Sequence, residues 1–363
     1  MKIYINQSFK LLLVVFISTL SLLVLACTRK DTRNESNNEK LIITDAGGNE
    51  ISLPRNITKI ACATAAAESV VISLGAAEKL IATSFDESYQ WAYVLFPELK
   101  NVRRTPTDFN AEAMIASGVE VVLVRNTNKA YAETLMNAGL SVVQLDFSTL
   151  ESTAETIKII GMITGKEKQS EKYAELFNYY TNLVSERLQK IDGITAPTIH
   201  YIICRLTMEP TLTHTYPDNF ITSQWIKLAG GAVITEGMAL GSGLVEINME
   251  ELLASRPEYI FVSGVFQSYT YDYLTSGEFD NTFSAVKDNK VIRVPLGVYD
   301  WGQAGVEACL ITLWCAKTLY QGLFDDIDLV DITQSFYRNV MGVDISKENV
   351  IAILSGKTGP ESH

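Results

Sequence analysis

The sequence predicts an α/β protein in which two α/β lobes are joined by a single long connecting α-helix, with a ligand cleft between the lobes. Three observations indicate this fold. Short apolar segments alternate with helical segments on both sides of the centre of the chain, which is typical of a parallel sheet covered by helices on both faces. The centre itself is the longest helical segment. A thirteen-residue pattern occurs once on each side of it.

The central helical segment runs from Ser148 to Asp192. Its second part carries apolar side chains at steps of three and four residues, which form one stripe of an α-helix. The members of this stripe are Tyr173, Phe177, Tyr180, Val184, Leu188 and Ile191. Ser148 and Glu151 have the spacing of a capping box that opens the first part, and Gly165 is expected to separate the two parts. Residues 167–191 as one helix would span about 37 Å, enough to brace two lobes.

The first lobe is expected over residues 41–147. Two short strands within residues 41–53 flank the sequence Asp-Ala-Gly-Gly-Asn, which is typical of a hairpin turn. Further strands are predicted at Lys59–Ala63, Leu80–Ser84, Val119–Arg125 and Ser141–Asp146. Helices are predicted at Thr64–Leu74, Ala111–Ser117 and Lys129–Ala138, with an irregular aromatic segment at Phe85–Phe96. This alternation predicts a Rossmann-like lobe.

The second lobe is expected over residues 193–363, where the alternation resumes. Strands are predicted at Thr198–Arg205, Tyr259–Ser263 and Val291–Pro295. Helices are predicted at Asn219–Ala229, Met249–Ser255, Gln303–Tyr320 and Ile332–Met341. Ligands of open α/β sheets bind beyond the carboxyl ends of the strands, and clefts between domains are favoured sites. Two such lobes therefore predict a ligand site between them.

An internal repeat links the two lobes. Residues 112–124 read EAMIASGVEVVLV and residues 250–262 read EELLASRPEYIFV, with five of thirteen positions identical. Both follow the pattern Glu-x-apolar-apolar-Ala-Ser-x-x-Glu-apolar-apolar-apolar-Val. A helix followed by a strand is a common element, so chance similarity stays open. We interpret the repeat as two related lobes.

Residues 1–26 are a targeting segment rather than part of the fold. Lys2 and Lys10 accompany an apolar run of sixteen residues, which is short for a membrane span. The run ends in Val-Leu-Ala-Cys at Cys27, which resembles a bacterial lipobox. Cleavage before Cys27 would leave a lipidated cysteine and a polar, flexible tether up to residue 40. We therefore expect an extracytoplasmic protein with a lipid anchor in the cell membrane; a plain signal peptide or an uncleaved anchor is the alternative.

Composition and motifs argue against several functional classes. The 30 basic and 42 acidic residues give a net charge of −12, which does not suggest a nucleic-acid-binding surface. The sequence lacks the glycine motifs of dinucleotide and phosphate binding and the Gly-x-Ser-x-Gly motif of hydrolases, so no enzyme activity is expected. Three histidines are too few for a histidine-rich metal site. The spacing of the remaining cysteines indicates buried thiols rather than a disulfide framework. These are Cys62, Cys204, Cys309 and Cys315.

Arginines and aromatic residues occur where the predicted strands end and loops begin. A guanidinium presents a fork of donors to an oxyanion, and aromatic faces pack against planar ligands. The candidate ligand-binding residues are Trp91, Arg103, Arg104, Arg125, Arg205, His214, Tyr216, Tyr269 and Trp301. Each of them taken singly would more often be a surface or packing residue. Together they predict an anionic, partly apolar small molecule as the ligand.

Four segments in order resemble the lipoprotein substrate-binding components of ABC importers for iron-siderophore, haem and cobalamin, the class III periplasmic binding proteins. They are residues 43–84, 149–165, 228–264 and 285–329, which include LAGGAVITEG, EINMEELLASRPEYIFVSG and VYDWGQAGVEACLITLW. The likeness covers about residues 41–355. It implies two rigid lobes that close only slightly, since a connecting helix resists bending. It implies no permanently bound cofactor, so iron would enter only as part of a chelate.

The resemblance also implies docking to an ABC permease and its ATPase. In cobalamin importers one glutamate on each lobe pairs with permease arginines. The family pattern Asn-x-Glu matches Asn110-Ala111-Glu112, and Glu250 is the equivalent residue of the second lobe. Both glutamates are also ordinary candidates for first-turn helix acids favoured by the helix dipole.

These observations predict an extracytoplasmic receptor that captures an iron chelate, foremost a ferric siderophore, and delivers it to the permease. Arg103 and Arg104 stand where family members often have a glycine, which favours an anionic ligand such as a ferric catecholate. Haem or cobalamin is the alternative ligand, with Tyr216 or His214 as a candidate ligand of haem iron. A sensor or a surface adhesin on the same fold is an alternative of another class.

Overall fold

The structure, a computed structural model, describes residues 40–106, 109–191, 193, 195–204, 207–241 and 243–360. The targeting segment, Cys27 and Arg205 lie outside the described residues, so the predictions made for them stay predictions. Within the described chain, no helix combines the length and the apolar character needed to cross a membrane.

The strands alternate with helices along most of the chain. The strands are β1 Lys40–Thr44, β2 Glu50–Pro54, β3 Ile60–Cys62, β4 Val121–Arg125, β5 Val142–Leu145, β6 Thr198–Ile203, β7 His214–Thr215, β8 Ala232–Val233, β9 Val245–Glu246, β10 Tyr259–Ser263 and β11 Val291–Arg293. The helices are α1 Ala65–Ser73, α2 Gln90–Leu95, α3 Ala111–Ala116, α4 Lys129–Asn137, α5 Leu150–Thr164, α6 Glu167–Leu188, α7 Ile221–Leu228, α8 Met249–Ser255, α9 Gln267–Leu274, α10 Ser284–Lys287, α11 Ile311–Leu319, α12 Leu329–Phe336 and α13 Lys347–Leu354. Shorter helical turns occupy Ala77–Lys79, Pro97–Asn101, Val306–Leu310, Gln321–Leu323 and Tyr337–Met341.

Each lobe is built on a parallel sheet. The N-terminal lobe has the strand order β3-β4-β5, and the C-terminal lobe has the order β11-β10-β6-β8. Strand β4 buries all four residues of Val121–Val124, because helices cover both faces of a parallel sheet. The remaining strands form two small antiparallel pairs, β1 with β2 and β7 with β9. The observed fold confirms the predicted α/β class with two lobes and a connecting helix.

Helices α5 and α6 connect the lobes. Tyr173, Phe177, Tyr180 and Val184 of α6 are buried, as the apolar stripe predicts. The 22 residues of α6 span about 33 Å. Helix α6 packs against α5 on the side of the N-terminal lobe and against α7 and α11 on the side of the C-terminal lobe. Its length and its contacts with both sides make it a brace between the lobes.

The start of the connecting segment differs from the prediction by one residue. The Thr149 hydroxyl accepts a hydrogen bond from the Ser152 amide at 2.9 Å, and the Ser152 hydroxyl accepts one from the Thr149 amide at 3.0 Å. The capping box is therefore formed by Thr149 and Ser152, and the pair Ser148 and Glu151 is corrected. Gly165 ends α5 in the left-handed conformation at φ +71°, which a glycine adopts without a steric penalty.

The repeat identified in the sequence forms the same structure twice. Asn110 caps α3 and Asn248 caps α8 through a side-chain oxygen that accepts a backbone amide of the first turn. The backbone amide of Glu120 donates to the Lys59 carbonyl and that of Glu258 donates to the Thr198 carbonyl, each at 2.9 Å. Both contacts join the strand of the unit to the neighbouring strand of its sheet. The two units are thus structurally equivalent.

The C-terminal residues form a second connection between the lobes. The Trp91 indole N–H in α2 donates to the Lys357 carbonyl at 2.7 Å. The Gln267 amide group donates to the Gly356 carbonyl at 3.0 Å and to the Val294 carbonyl at 3.1 Å. Gly359 packs so closely on Gln90 that a Cβ would lie 1.9 Å from its Oε1. We call residues 356–360 the C-terminal strap, since they link α2 of the N-terminal lobe to α9 and β11 of the C-terminal lobe.

Several local predictions need correction. The predicted strand at Leu80–Ser84 is reduced to isolated bridges from Leu80 to Ile60 and from Thr83 to Arg104. Part of the aromatic segment is helical as α2, and the predicted helix at Gln303–Tyr320 begins only at Val306 with a 3₁₀ turn. The sequence did not predict α9, α10 and α13. These helices have eight residues or fewer, too few for a long periodic pattern.

Candidate functional site

A cavity of about 210 Å³ lies at the carboxyl ends of the strands, between the lobes. Its lining residues are Thr64, Ala65, Ala66, Arg125, Phe220, Tyr299, Gln303 and Ala304. The first four follow or end strands β3 and β4 of the N-terminal lobe, and the last four belong to loops of the C-terminal lobe. We call it the Arg125 cavity. Its place is the one expected for a ligand site in facing α/β lobes.

The N-terminal lobe contributes positive charge to this cavity. Arg125 is half-buried at the end of β4, and its guanidinium carbon lies 5.5 Å from the centre of the Phe147 ring. Thr64 precedes α1 with an extended backbone, and its side chain makes no capping hydrogen bond. The positive end of α1 is therefore presented at Thr64, Ala65 and Ala66 without a side-chain cap. A guanidinium beside an uncapped helix N-terminus favours an anion.

The C-terminal lobe contributes an amide donor and aromatic surface. Gln303 is 6% exposed, and its Nε2 is buried without a hydrogen-bond partner among the described residues. Its Oε1 accepts a hydrogen bond from the Tyr216 hydroxyl at 3.4 Å. The Tyr216 ring in turn stacks on Phe220 with 4.0 Å between ring centres. The Gln303 amide group also lies beside the buried Tyr201 hydroxyl: burial raises the pKa of Tyr201, and the interaction with Gln303 acts in the opposite direction. Gln303 therefore links the wall of the cavity to the buried residues Tyr201 and Tyr216.

An aromatic stack joins the two lobes beside the cavity. The Tyr299 ring of the C-terminal lobe lies 6.1 Å from Phe85 and 6.3 Å from Tyr89, with interplanar angles of 19° and 8°. Phe85 and Tyr89 also stack on each other at 4.2 Å. We call these three residues the interlobe stack. Because Tyr299 also lines the Arg125 cavity, the stack forms one of its walls.

Two buried glutamates hold the loops that carry the interlobe stack. Glu68 in α1 accepts hydrogen bonds from the Ser84 amide at 3.0 Å and from the Thr83 hydroxyl. Glu307 accepts the Val298 amide at 3.0 Å and the Tyr299 amide at 2.9 Å. Burial raises the pKa of Glu68 and raises the pKa of Glu307 to about 7, while these hydrogen bonds act in the opposite direction. Glu68 therefore fixes the loop that leads to Phe85, and Glu307 fixes the loop that carries Tyr299.

A second, larger cavity of about 510 Å³ also has residues of both lobes in its lining. Among them are three acidic residues, Asp86, Glu87 and Asp272. Tyr269, one of the predicted ligand residues, lies there and is 47% exposed. The carboxylates make this cavity unfavourable for an anionic ligand.

The structure brings only some of the predicted ligand residues together. Arg125 lines the cavity named after it, and Tyr216 lies directly behind Phe220 and Gln303. His214 is half-buried in β7, opposite Glu246 of β9, and does not line the cavity. Arg205 lies outside the described residues.

Two tryptophans are core residues in this structure, which corrects their assignment as ligand contacts. Trp91 and Trp301 both have no exposed surface. The Trp91 indole N–H is bound to the strap, and Trp301 belongs to the same buried cluster. An aromatic residue in a loop of the sequence can be a wall of a cleft or part of a core, and only the packing distinguishes the two.

The adjacent arginines of the N-terminal lobe lie away from the Arg125 cavity. Arg103 donates from Nε to the Ile81 carbonyl and from Nη2 to the Ser117 hydroxyl, each at 3.1 Å. Ser117 ends α3 just before β4 begins, so Arg103 lies at the amino edge of the sheet, opposite to the cleft. Arg104 is exposed. It lies near Asp86: burial acts to raise the pKa of this carboxyl, but hydrogen bonds from Ser88 and the charge of Arg104 lower it. Neither arginine lines the Arg125 cavity, while Asp86 lines the larger cavity.

Tyr299 is one of the loop aromatics of the second lobe, although it is not among the candidate ligand-binding residues. Three other features of the cavity escaped the sequence reasoning. Gln303 and Phe220 carry no signal in the sequence, because uncharged residues of these types are common in loops. The uncapped start of α1 involves main-chain amides, which no residue type reveals.

The cysteines are free thiols, with Cys62 half-buried and Cys204, Cys309 and Cys315 buried. Burial raises the pKa of all four thiols, which makes them unreactive. Within the described part of the chain, no group of three or more His, Cys, Asp or Glu side chains is arranged to hold a metal ion. The cleft as described thus offers donors rather than metal ligands.

Comparison with known proteins places this geometry in context. The family model described as periplasmic binding protein matches residues 60–296. The molybdate-binding protein MolA of Haemophilus influenzae is 22% identical over 338 residues, which cover 85% of this chain and 93% of MolA. The structure of MolA bound to molybdate aligns with a TM-score of 0.71 and 20% identity over 84% of this chain and 99% of MolA.

Two further solved structures have the same fold. The ABC transporter solute-binding protein of Sulfurospirillum deleyianum aligns with a TM-score of 0.73 and 18% identity over 86% of this chain and 98% of that protein. CeuE of Helicobacter pylori, in complex with nickel and histidine, aligns with a TM-score of 0.68 and 16% identity over 85% of this chain and 98% of CeuE. At these identities the likeness shows the fold and not the ligand.

Proposed function

The chain belongs to the periplasmic binding protein family, and we propose that it captures a compact oxyanion in the Arg125 cavity for delivery to an ABC permease. It is the extracytoplasmic solute-binding component of an ABC transporter and not an enzyme. The proposal concerns the ligand, which we assign to the class of molybdate and related tetrahedral dianions.

The observation that carries the proposal is the set of donors around one small cavity. Arg125 and the uncapped start of α1 lie at this cavity together with the Gln303 side chain, and no acidic side chain of the described residues lines it. A dianion would gain charge-assisted hydrogen bonds from the guanidinium and the main-chain amides.

The size of the cavity supports the same ligand class. Drug-sized ligands occupy cavities of about 300–1,000 Å³, and the Arg125 cavity measures about 210 Å³. Phe220 and Tyr299 add aromatic surface to its walls. The similarity to MolA, a molybdate-binding protein, provides an independent reason to test molybdate first.

Calorimetric titration of the purified protein tests this proposal. Molybdate, tungstate, sulfate and phosphate would be added separately, and we expect saturable 1:1 binding of molybdate or tungstate. Sulfate and phosphate serve as matched controls, since they share the tetrahedral shape and differ in size or protonation. Absence of binding by all four anions would contradict the proposal.

A ferric siderophore is the second candidate ligand. The interlobe stack lies near both cavities, since Tyr299 lines the Arg125 cavity and Ser88, the residue before Tyr89, lines the larger cavity. We propose that parting of Tyr299 from Tyr89 widens the cleft enough to accommodate a chelate. The CeuE structure contains a nickel–histidine complex, which favours including metal chelates in the test.

A fluorescence titration distinguishes the chelates. Ferric catecholate, haemin and cobalamin would be added to the protein while its tryptophan fluorescence is recorded. Quenching by the ferric catecholate alone would support the siderophore, whereas a Soret band on adding haemin would support haem. A Soret band that is lost in Tyr216→Phe or in a His214→Ala variant would identify the residue that binds the haem iron.

Docking to the permease is proposed through Glu112 and Glu250. Both are exposed in the first turns of α3 and α8, the two equivalent helices of the repeat. Charge reversal of both residues is expected to abolish uptake in cells and to leave the ligand Kd unchanged. Glu171→Lys on the exposed face of α6 is the matched control. Normal uptake by the double variant would exclude docking through this pair.

Lipid attachment at Cys27 is proposed from the sequence alone. Cys27→Ser should remain unlipidated and should lose incorporation of labelled fatty acid. The matched control is Cys62→Ser, which changes a thiol inside the fold. Equal labelling of Cys27→Ser and the unchanged protein would show that the anchor lies elsewhere.

A further inference from the structure

Glu307 is a buried carboxylate without a direct place in the Arg125 cavity. It is 2% exposed, lies in the short helix Val306–Leu310 and does not line the cavity. Its two oxygens accept consecutive main-chain amides of one loop, Oε1 from Val298 and Oε2 from Tyr299. The Tyr337 hydroxyl donates to Oε1 from another element. One carboxylate thus fixes two adjacent peptide groups.

The loop is shaped to admit this carboxylate. A Cβ at Gly297 would lie 1.8 Å from Oε1 of Glu307 and 2.5 Å from the Tyr337 hydroxyl. Any side chain at position 297 would therefore clash with Glu307, and only glycine fits there. The loop is closed on itself by a hydrogen bond from the Gly297 amide to the Tyr299 carbonyl at 3.1 Å. The result is a tight turn whose position depends on the group that it encloses.

The turn carries Tyr299, whose side chain lies at the cleft. Tyr299 lines the Arg125 cavity and stacks with rings of the opposite lobe. A shift of its main chain would move the ring out of the interlobe stack and change the wall of the Arg125 cavity. Burying a carboxylate is unfavourable, and burial raises the pKa of Glu307 to about 7. An apolar residue would fill the same space without this disadvantage, but it would not bind the two amides.

We infer that Glu307 is a positioning residue for ligand binding, which holds the main chain of Val298 and Tyr299 so that the Tyr299 ring forms one wall of the Arg125 cavity. This inference rests on the proposed function of that cavity. Glu307 touches no ligand in this mechanism and acts only through Tyr299. Sites of this kind depend on supporting residues that fix the orientation of the contacting ones.

Ligand affinity in a double-mutant cycle tests the inference. Molybdate is the probe, and the variants are Glu307→Ala, Tyr299→Ala, their combination and Glu307→Gln. We expect Glu307→Ala to raise the Kd roughly tenfold. The combination should bind no more weakly than Tyr299→Ala alone, because Glu307 has no route to the ligand except Tyr299. Glu307→Gln keeps one acceptor oxygen and should recover part of the loss.

Tyr337→Phe is the matched control. It removes a hydrogen bond from the same carboxylate and leaves the bonds from the Val298 and Tyr299 amides in place, so its Kd should stay within roughly twofold of the unchanged protein. Equal losses in Tyr337→Phe and Glu307→Ala would indicate general destabilisation and would overturn the inference. Additive losses from Glu307→Ala and Tyr299→Ala would overturn it as well.

Hydrogen exchange without ligand separates this inference from the proposed ligand. The amides of Val298 and Tyr299 should exchange faster in Glu307→Ala and Glu307→Gln, while amides of β4 and β10 keep their protection. If molybdate fails to bind the unchanged protein but this local increase is seen, the oxyanion proposal fails and the positioning of Tyr299 stands. Unchanged exchange at both amides would overturn the positioning role, whatever the ligand.

Discussion

Strand β4 of the N-terminal lobe ends in Arg125, and strand β10 of the C-terminal lobe ends in Ser263 at the equivalent position of the repeat. Arg125 lines the cavity between the lobes. Ser263 has no exposed surface, and its hydroxyl donates to the Asp300 carboxylate at 2.7 Å. One position of a repeated unit thus places a cation at the interlobe cavity in one lobe and forms a buried hydrogen bond in the other.

The two lobes contribute different kinds of residue to the same cavity. The helix–strand unit is retained in both lobes, with Met114 and Leu252 as its equivalent buried side chains. The residues beyond the strands differ. The N-terminal lobe places Arg125 and the start of α1 at the cavity, and the C-terminal lobe places Tyr299 and Gln303 there.

Removing the cation of the N-terminal lobe should have the largest effect. Arg125→Ala is expected to weaken molybdate binding by roughly a hundredfold, because a charge-assisted hydrogen bond to a buried anion is worth about 1.5–3 kcal/mol. Arg125→Lys keeps the positive charge without the planar fork of donors. Its Kd should therefore lie between those of Arg125→Ala and the unchanged protein. Calorimetric titration measures both.

Arg103→Ala is the control for this prediction, since Arg103 is bound to Ile81 and Ser117 at the amino edge of the same lobe. It should leave the Kd unchanged. Equal losses from the two alanine variants would show that charge acts from a distance and that the division between the lobes is not local.

The buried carboxylates of the two lobes provide a second comparison. The folded state binds the Glu307 proton more tightly than the unfolded chain, since its pKa rises from 4.5 to about 7. Glu307 therefore contributes stability that is complete below pH 4.5 and lost as the pH rises through its folded pKa. Relative to Glu307→Gln, the unchanged protein should lose roughly 3 kcal/mol of unfolding free energy across this window.

Urea unfolding at a series of pH values measures this loss. Glu68 of the N-terminal lobe has a pKa raised in the same direction by burial, so Glu68→Gln should show the same sign. A flat difference between Glu307→Gln and the unchanged protein would contradict the assignment of a proton to Glu307. Opposite signs for Glu68 and Glu307 would show that the lobes treat their buried carboxylates differently.

The smallest expected effect concerns the turn between helix and strand in each unit. Gly118 adopts φ +70° and its equivalent Arg256 adopts φ +43°. A residue with a Cβ is strained by about 1 kcal/mol in this conformation. Arg256→Gly should therefore stabilise the protein by up to about 1 kcal/mol, and Gly118→Ala should destabilise it by a similar amount.

The midpoint of urea unfolding measures both variants of the turn. Their changes should be opposite in sign and should leave ligand affinity unaffected, because both turns lie at the amino edges of the sheets. Destabilisation by Arg256→Gly would indicate that contacts of the Arg256 side chain outweigh its backbone strain.

Features that depend on the spacing of apolar residues and on the order of segments could be predicted from the sequence. The stripe from Tyr173 to Val184 identified α6, and the repeat identified α3, β4, α8 and β10 together. Arg125 was identified because it ends a strand, and strand ends meet at one edge of a parallel sheet.

Features that depend on side-chain packing could not be predicted from the sequence. Trp91 and Trp301 occupy loops in the sequence and cores in space, and Arg103 lies at the opposite edge of the sheet from the cleft. Gln303 lines the cavity, although its residue type and its place in a loop do not indicate this. Neighbouring residues in the chain did not reveal the surroundings of these side chains.

The C-terminal strap bears on the order in which the molecule is completed. A chain that emerges N-terminus first presents α2 long before residue 357, yet the Trp91 indole N–H of α2 is satisfied by the Lys357 carbonyl. One buried donor of the first lobe is therefore satisfied only by the last residues of the chain. A chain that ends before residue 357 would leave the Trp91 indole N–H without this acceptor.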